Sequence, residues 1–566
     1  MSRQGMWTHR LCTIALSVAA VMAAPAGFVI ATAPVATLQV RVLDVVTGKV
    51  LPSVEIAAGP FGRARTNTAG IASLAVTLGD VPTVEVPEQG DEGRFASLNV
   101  PLKVRPVREV VAVDYAVFLH GRIEGTVRDD VGRPVPSATV LAIGEEYSSV
   151  GPFTQRREVL PSDLQRFVLR HSTTNADGRF ALTNLRPGVE IRVLVLPEPP
   201  RTPLPPSTVL SPGYFPAATA WHDALPIVLG SREHRTSVDV RLVRRDAGCV
   251  AVTVEREASL AGAQVAVVPE AAVGLRQYGA TSDMPWVRPA TDRPVRAARI
   301  CGLAVGAHAL IATDSLSNIA AFESATRRVM VEAGTEPSIV LVPRPPVSVQ
   351  VTVENLTGSV ASGPSLFFWP PSANPGPGQG QFELSRRGAF ALQVQDLPAN
   401  AYVHEVRVNG TPVRTAPLPA PSDPWSMTVQ LRESATLTVG PSPLDEAVQT
   451  QWVALLPDLP PGSSDLAWSA AIDVQAVAPG ESALFTSLRP GAYLMVELTV
   501  PPPHWLYRPT QRLHLVRSTT TIRALREAAQ RGTRVDLRAG TTTLTHRKTS
   551  RTSTRDAWKW SMAQKQ

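Results

Sequence analysis

Asp177–Gly188 reads "DGRFALTNLRPG", and the chain returns to the same pattern at Glu481–Gly491 as "ESALFTSLRPG". Each copy alternates apolar and polar residues, then reaches Leu-Arg-Pro-Gly. The alternation predicts a half-buried strand, with Phe180 or Leu484, then Leu185 or Leu488, turned inward. Pro fixes φ and Gly permits a reversal, so Pro187-Gly188 and Pro490-Gly491 are corners. "VEIRVLV" and "AYLMVEL" then return antiparallel. Arg186 and Arg489 are expected to face solvent.

Working outward from the first copy uncovers a longer repeat. "LQVRVLDVVTGKVLPSVEIAAG" (Leu38–Gly59) and "IEGTVRDDVGRPVPSATVLAIG" (Ile123–Gly144) both alternate, break at a Gly-containing turn and alternate again. Val42, Gly48, Pro52, Ser53 and Ile56 match Val127, Gly132, Pro136, Ser137 and Val140, with one residue of slip in the turn. Further on, Thr66-Asn67 and Gly70 match Thr174-Asn175 and Gly178. Correspondences in a constant order mark an internal repeat, which takes precedence over local readings. A third copy has Val252 and Val265 spaced as Val127 and Val140 are, and Leu303 and Gly306 close it. A fourth starts at "VSVQVTVENLTG" and a fifth near "ATLTVGPSPL". Pro-rich joints, "LVPRPPV" and "APLPAPSDP", flank the fourth, and Pro interrupts sheet ladders.

The expected fold is all-β: tandem antiparallel β-sandwiches of prealbumin-like or Ig-like type, with Pro-rich linkers and one short C-terminal helix. The expected division is a leader at 1–36, sandwiches at 37–116, 117–245, 246–345, 346–433 and 434–544, and a basic tail at 545–566. The helix is read in "TTTIRALREAAQRG", where Ile522, Leu525 and Ala529 share a face and Gly532 ends it. "LPSDLQRFVL" from Leu160 is a second, shorter helix candidate.

Bulk composition agrees with several small cores. The chain has 566 residues, 44% of them hydrophobic, which is too long for one core and too apolar for general disorder. Its 52 prolines favour many short elements joined by turns. The net charge of +7 is concentrated at the ends. Six cations in the tail face one acid, and Arg3 and Arg10 sit in the leader, so the body is near neutral. No basic face for nucleic acid is implied. Trp558 and Trp560 lie among the tail cations, and the tail is read as a solvated end. Lys is scarce beside Arg, which is read as the codon bias of a GC-rich bacterial genome.

The leader places the chain outside the cytoplasm. "MSRQGMWTHR" is a positive start, "LCTIALSVAAVMAA" is an uncharged apolar run, and Ala24-Pro25-Ala26 fits the cleavage pattern of a signal peptide. The alternative is an uncleaved anchor, because the uncharged run extends to about Leu38 and about 20 apolar residues span a bilayer. Membrane contact is expected only through such an anchor. Cys249 and Cys301 remain after the leader, and two cysteines in an exported chain make a candidate disulfide; two buried thiols are the other reading.

These residues carry a resemblance. "GTVRDDVGRPVPSATVLAI" with "TTNADGRFALTNLRPGVEIRVLV" resembles the carboxypeptidase regulatory-like domain, a transthyretin-like sandwich grouped with carbohydrate-binding-like folds. Gly125, Val127, Asp129, Gly132, Pro134, Ala138, Val140, Thr174, Gly178, Phe180, Leu185 and Gly188 fit the family's pattern. Asn175 stands where Asp is commoner, and Glu190 replaces an aromatic. "GYFPAATAWHDALPIVLGSREHRTSVDVRLV" after the module, and the late helix followed by "TRVDLRAGTTTL", are similar to segments of large secreted bacterial proteins, notably from acidobacteria, that string such modules together. The resemblance implies fold and export, not an activity; in metallocarboxypeptidases the module is the non-catalytic accessory.

Chemistry-bearing patterns are few. No His is followed three residues later by Glu, as a carboxypeptidase zinc site requires. His120 and Glu124 lie four residues apart, about 13 Å along a strand, too far for one metal. There is no G-x-S-x-G elbow, HExxH or phosphate loop. "NADG" at Asn175–Gly178 reads as a tight turn rather than a calcium loop. Asn355 and Asn409 begin glycosylation-type triplets. No cofactor and no metal are expected. The candidate ligand-contact loop is Tyr214, Trp221 and His222. The function so implied is an exported, non-catalytic binding or scaffold protein whose partner is a glycan, a peptide or an envelope protein. The alternative is a divergent envelope hydrolase, or its accessory, with a site in the C-terminal half.

Overall fold

A computed structural model describes residues 34–544, apart from 87–101, 151–157, 160–163, 199–206, 256–263, 278–286, 292–294, 314–324, 343–346, 356–364, 370–379, 385–390, 414–417, 419–424, 442–448, 464–472, 499–513, 518–524 and a few one- or two-residue stretches. The fold is a tandem array of β-sandwiches, nearly all strand.

One three-strand arrangement recurs five times. A first strand lies between an antiparallel partner and the last strand of its own unit, which runs parallel to it. In the first unit Val35–Asp44 pairs antiparallel with Ile71–Thr77 and parallel with Val110–Val117. In the second, Gly121–Arg128 takes Arg179–Leu185 antiparallel and the short strands His234–Arg235 and Val240–Arg241 parallel. In the third, Arg244–Val254 lies between Ala297–Ala304 and Ser338–Leu341. In the fourth, Val347–Asn355 lies between Gly380–Leu384 and Trp425–Glu433. In the fifth, Ala435–Val439 lies between Ala483–Leu488 and Gly540–Leu544. Because first and last strands point the same way, the chain enters a unit at one end and leaves at the other. That geometry lets units follow one another with short connections, as between Val117 and Gly121 or Arg241 and Arg244.

Each unit has its own apolar interior, built mostly of Val and Leu from alternating strand positions. Leu38, Val40, Val42, Ile56 and Val113 are in the first, and Ile123, Val127, Val140, Leu182 and Val193 in the second. Val250, Val252, Val265 and Leu310 fill the third. Trp425, Met427 and Val429 stand in the fourth, and Leu437, Leu455 and Phe485 in the fifth.

The Leu-Arg-Pro-Gly corners share a feature that simple alternation misses. Asn184 and Ser487 both have positive φ, 57° and 59°. The register against the neighbouring strand shifts at the same place, between Leu182 and Leu185 and between Ala435 and Leu437. This is a bulge, and it inserts a residue into the period-two count. Leu185 and Leu488 are buried on the far side of it. The inward residue of the fifth unit is therefore Phe485, fully buried, and not Leu484, which is 52% exposed. Arg489 is exposed, as expected, and is also tied to the fourth unit: its Nη2 donates to Val403 O (2.9 Å), and its guanidinium lies 5.6 Å from the Tyr402 ring. Arg186 lies outside the described residues.

The helix candidate from Leu160 is a strand, Leu164–Thr173, paired with Thr139–Tyr147. Phe167 and Val168 point to opposite faces and both are buried, so a fully covered strand is needed there. The late helix is formed at residues 525–529. Leu525, Ala528 and Ala529 pack on Trp452, Leu456 and Val496. Ile522 lies outside the described residues. Gly532 follows because a Cβ there would sit 2.6 Å from Met495 O.

Candidate functional site at the joint of the second and third units

Tyr214 and Trp221 come together, but not at a free surface. Tyr214 sits on the edge strand Gly213–Tyr214, paired with Glu190–Leu196. Its ring is only 1% exposed. Its hydroxyl donates to Ala271 O of the third unit at 2.7 Å. Burial pushes the phenol up to about 12, against the nearby cations Arg166 and Arg192. A candidate ligand-contact role for the Tyr214 ring therefore conflicts with its place: the ring is consumed by packing between units.

That packing is a continuous apolar layer. The outer face of the second unit's sheet offers Leu141, Ile143, Val168 and Leu194. The third unit supplies Ala266, Val268, Leu275 and Ile311. The strand Glu190–Leu196 is buried on both faces along Val193–Leu196, which accounts for the near-continuous apolar run "VLVL". Two backbone pairings cross the same boundary. Thr208–Leu210 joins the third unit's first strand, and Phe167–Val168 pairs with Arg276–Gln277.

Trp221 opens a short 3-10 turn, Trp221–Asp223, and meets Tyr214 edge-on at 5.9 Å between centroids. The Arg166 and Arg192 guanidiniums lie 4.4 and 4.6 Å from its ring centroid. Glu145 pairs with both arginines, at 3.5 and 4.0 Å, and Glu190 with Arg192 at 3.4 Å. Two cations are thus held against one indole by carboxylates on the same sheet. His222 differs from its neighbours: its side chain is 81% exposed, 3.5 Å from Asp223.

The second half of the joint is ionic. Asp129 is buried in the first turn of the second unit. Its carboxylate accepts from Val131 N, Arg133 N and Arg133 Nε, and from Arg244 Nη2 at 2.8 Å. Burial alone would raise its pKa, but the Arg244 and Arg133 bonds prevail and hold it down at about 2. Arg244 begins the third unit. In that unit Cys249 and Cys301 are direct cross-strand partners and are joined as a disulfide.

Other sequence candidates fall into structural roles. Asn175 Oδ1 accepts from Asp177 N and Arg179 N, so "NADG" is an Asx turn whose oxygen faces its own backbone. Asn409 Oδ1 accepts from Ser426 N. Glu124 pairs with His234 at 2.7 Å and with Arg122. Among the described residues no group of three or more His, Cys, Asp or Glu could hold a metal ion. Sequence reasoning did not find Arg166, Arg192 and Arg244. The one signal for them was Arg192 itself, a lone cation inside "VEIRVLV".

No family model and no curated protein matches the chain. Among solved structures it is similar to a streptococcal ancillary pilin, at 12% identity over 55% of this chain and 100% of that one, with a TM-score of 0.17. The major pilin subunit of Bacillus cereus shares 8% identity over the same proportions, with a TM-score of 0.16. The minor pilin of Streptococcus agalactiae shares 12%, over 40% of this chain and 97% of that one, also at 0.16. With superposition this low, none of them says what the present chain does. Among the described residues no helix is long and apolar enough to cross a membrane.

Proposed function

We propose that the chain is an exported, non-catalytic modular protein of the bacterial envelope or extracellular space, and that it works as a scaffold or binding protein. The observation that supports this most is the joint. Tyr214, Asp129 and Arg244, the residues whose chemistry stands out locally, are spent on holding the second unit to the third, and Trp221 packs against the same apolar layer. A module that invests its aromatic and ionic groups in a neighbour is positioned as part of a stiff array. The leader sequence supplies the export, and the disulfide suits an oxidising compartment. The domain scheme, with sandwiches at 37–116, 117–245, 246–345, 346–433 and 434–544, belongs to the same proposal with one change: Arg244 and Arg245 lie on the strand that opens the third sandwich.

Envelope fractionation of the host, followed by pull-down with the exported chain and a glycan array, tests this reading. The protein is expected in the periplasmic, outer-membrane or extracellular fraction, with an envelope protein or glycan retained. Recovery in the cytoplasm would overturn the export reading. Retention on glycans that survives Trp221→Ala and His222→Ala would remove the Tyr214–His222 loop as the ligand contact.

A further inference from the structure

The first and fifth units meet. Thr450 N donates to Lys103 O at 2.7 Å, and Lys103 N donates to Thr450 Oγ1 at 2.7 Å. The same hydroxyl donates back to Lys103 O at 3.1 Å. Val104 and Gln449 form an antiparallel bridge beside them. Thr450 is buried by the contact, and Val104 is fully buried. Arg105 lies over Gly480, where a Cβ would come 2.5 Å from its Nη1. Gly480 also has φ +75°, a conformation that disfavours any L side chain, and a side chain there would have to push the Arg105 tip aside.

Two more pairings join units that are not consecutive. Glu158–Val159 of the second unit pairs with Gln393–Val394 of the fourth. His514–Arg517 of the fifth pairs with Tyr147–Val150 at the far end of the second unit's long strand. In a straight row, units entered at one end and left at the other would touch only their neighbours. The pairings therefore fold the array back on itself.

We propose that the Lys103–Thr450 contact is a latch that holds the first unit against the fifth and whose release lets the first unit swing out, while the second, fourth and fifth units stay tied by the two pairings above. The contrast with the joint between the second and third units motivates this. That joint is an apolar layer with a buried ion pair, continuous with the cores. The Lys103–Thr450 contact is a short backbone bridge, the Thr450 hydroxyl and Arg105 over Gly480, and among the described residues no apolar cluster spans the first and fifth units. Force or a competing strand at either edge would act on it first, because few bonds must break together.

Small-angle scattering of the exported chain reads the outcome directly. A closed array has a radius of gyration of about 25–30 Å, whereas a straight row of five such units has about 50 Å. Thr450→Pro removes the N–H and the hydroxyl, and Gly480→Leu drives Arg105 out. Each frees the first unit alone and is expected to raise the radius by about 1.1-fold with unchanged circular dichroism. If Thr450→Pro does not fold, Thr450→Val and Gly480→Leu carry the test. The double variant Lys103→Cys/Thr450→Cys is expected to crosslink under mild oxidation and keep the closed radius. A wild-type radius near 50 Å, absence of the crosslink, or folded variants that stay as compact as wild type would each overturn the latch.

Discussion

Thr66 and Thr174 occupy the same place in two successive units and make the same two bonds. Thr66 Oγ1 accepts from Val54 N at 2.8 Å and donates to Leu51 O at 2.7 Å. Thr174 Oγ1 accepts from Ala138 N at 2.8 Å and donates to Val135 O at 2.7 Å. Both threonines are buried. Each satisfies a donor and an acceptor of a turn that leaves the ladder, next to Ser53 and Ser137, which have positive φ. A hydroxyl on a β-branched stem suits this site, since it packs as an apolar residue and still pairs two backbone groups.

Thr174→Val keeps the shape and strands two buried backbone groups. It is expected to cost about 1–3 kcal/mol. Thr174→Ser should recover most of that. Urea unfolding of the wild type and both variants checks it, and equal midpoints for Val and Ser would show that the hydroxyl contributes nothing.

Gly178 and Gly132 separate two reasons for glycine. Both have positive φ, 71° and 87°. A Cβ at Gly178 would stand 2.5 Å from Val127 O, whereas at Gly132 nothing lies within 4 Å. Gly132→Ala should cost only the left-handed backbone strain, about 1 kcal/mol. Gly178→Ala should cost clearly more, because backbone must move. Thermal melts of the two variants should rank in that order.

The joint predicts cooperative melting of the second and third units. Tyr214→Ala empties a buried aromatic site and is expected to cost about 3–5 kcal/mol. Tyr214→Phe loses only the bond to Ala271 O, about 1 kcal/mol. Calorimetry should show Tyr214→Ala splitting a shared transition into two, and Tyr214→Phe leaving it single. A split already present in wild type would mean that the units are not coupled.

Loss of the Cys249–Cys301 link, at a sequence separation of 52, is expected to cost about 4 kcal/mol by the chain-entropy relation. Cys249→Ala/Cys301→Ala, compared with the oxidised wild type in urea, measures it. A change below about 1 kcal/mol would show that strand pairing alone holds this sheet.

Acid should weaken the chain in two ranges. Burial holds His308 below the usual imidazole range, although Ala304 O and Glu270 oppose it, and Arg328 pairs with Glu270 across the neighbouring strand. The unfolded chain therefore takes up a proton there first, and stability falls as pH drops below about 6.5. Asp129 is depressed to about 2 in the fold. Its contribution is complete above its unfolded value, about 3.9, and is lost as pH falls through about 2. Stability measured from pH 8 to 2 should fall in both ranges. His308→Gln should flatten the upper one and Asp129→Asn the lower.

The repeated sandwich was legible in the sequence because its determinants are local. Strand alternation, Thr-Asn before a Gly at positive φ, and the Leu-Arg-Pro-Gly corner each act over a few residues, so unlike units write them alike. Counting by twos failed only where a bulge at Asn184 or Ser487 adds a residue, which moved the inward position from Leu484 to Phe485. "LPSDLQRFVL" misled because a short apolar run fits either period until a partner strand is present.

The amino-acid sequence by itself determined the sheet class, the recurrence and the turn chemistry. Tertiary structure alone decided that Tyr214 is interior, that Arg244 reaches Asp129, that Cys249 faces Cys301 and that Thr450 meets Lys103. The physical reason is that burial and pairing at those positions come from residues tens to hundreds of positions away, and a local pattern of polar and aromatic residues is the same whether it meets water or another unit.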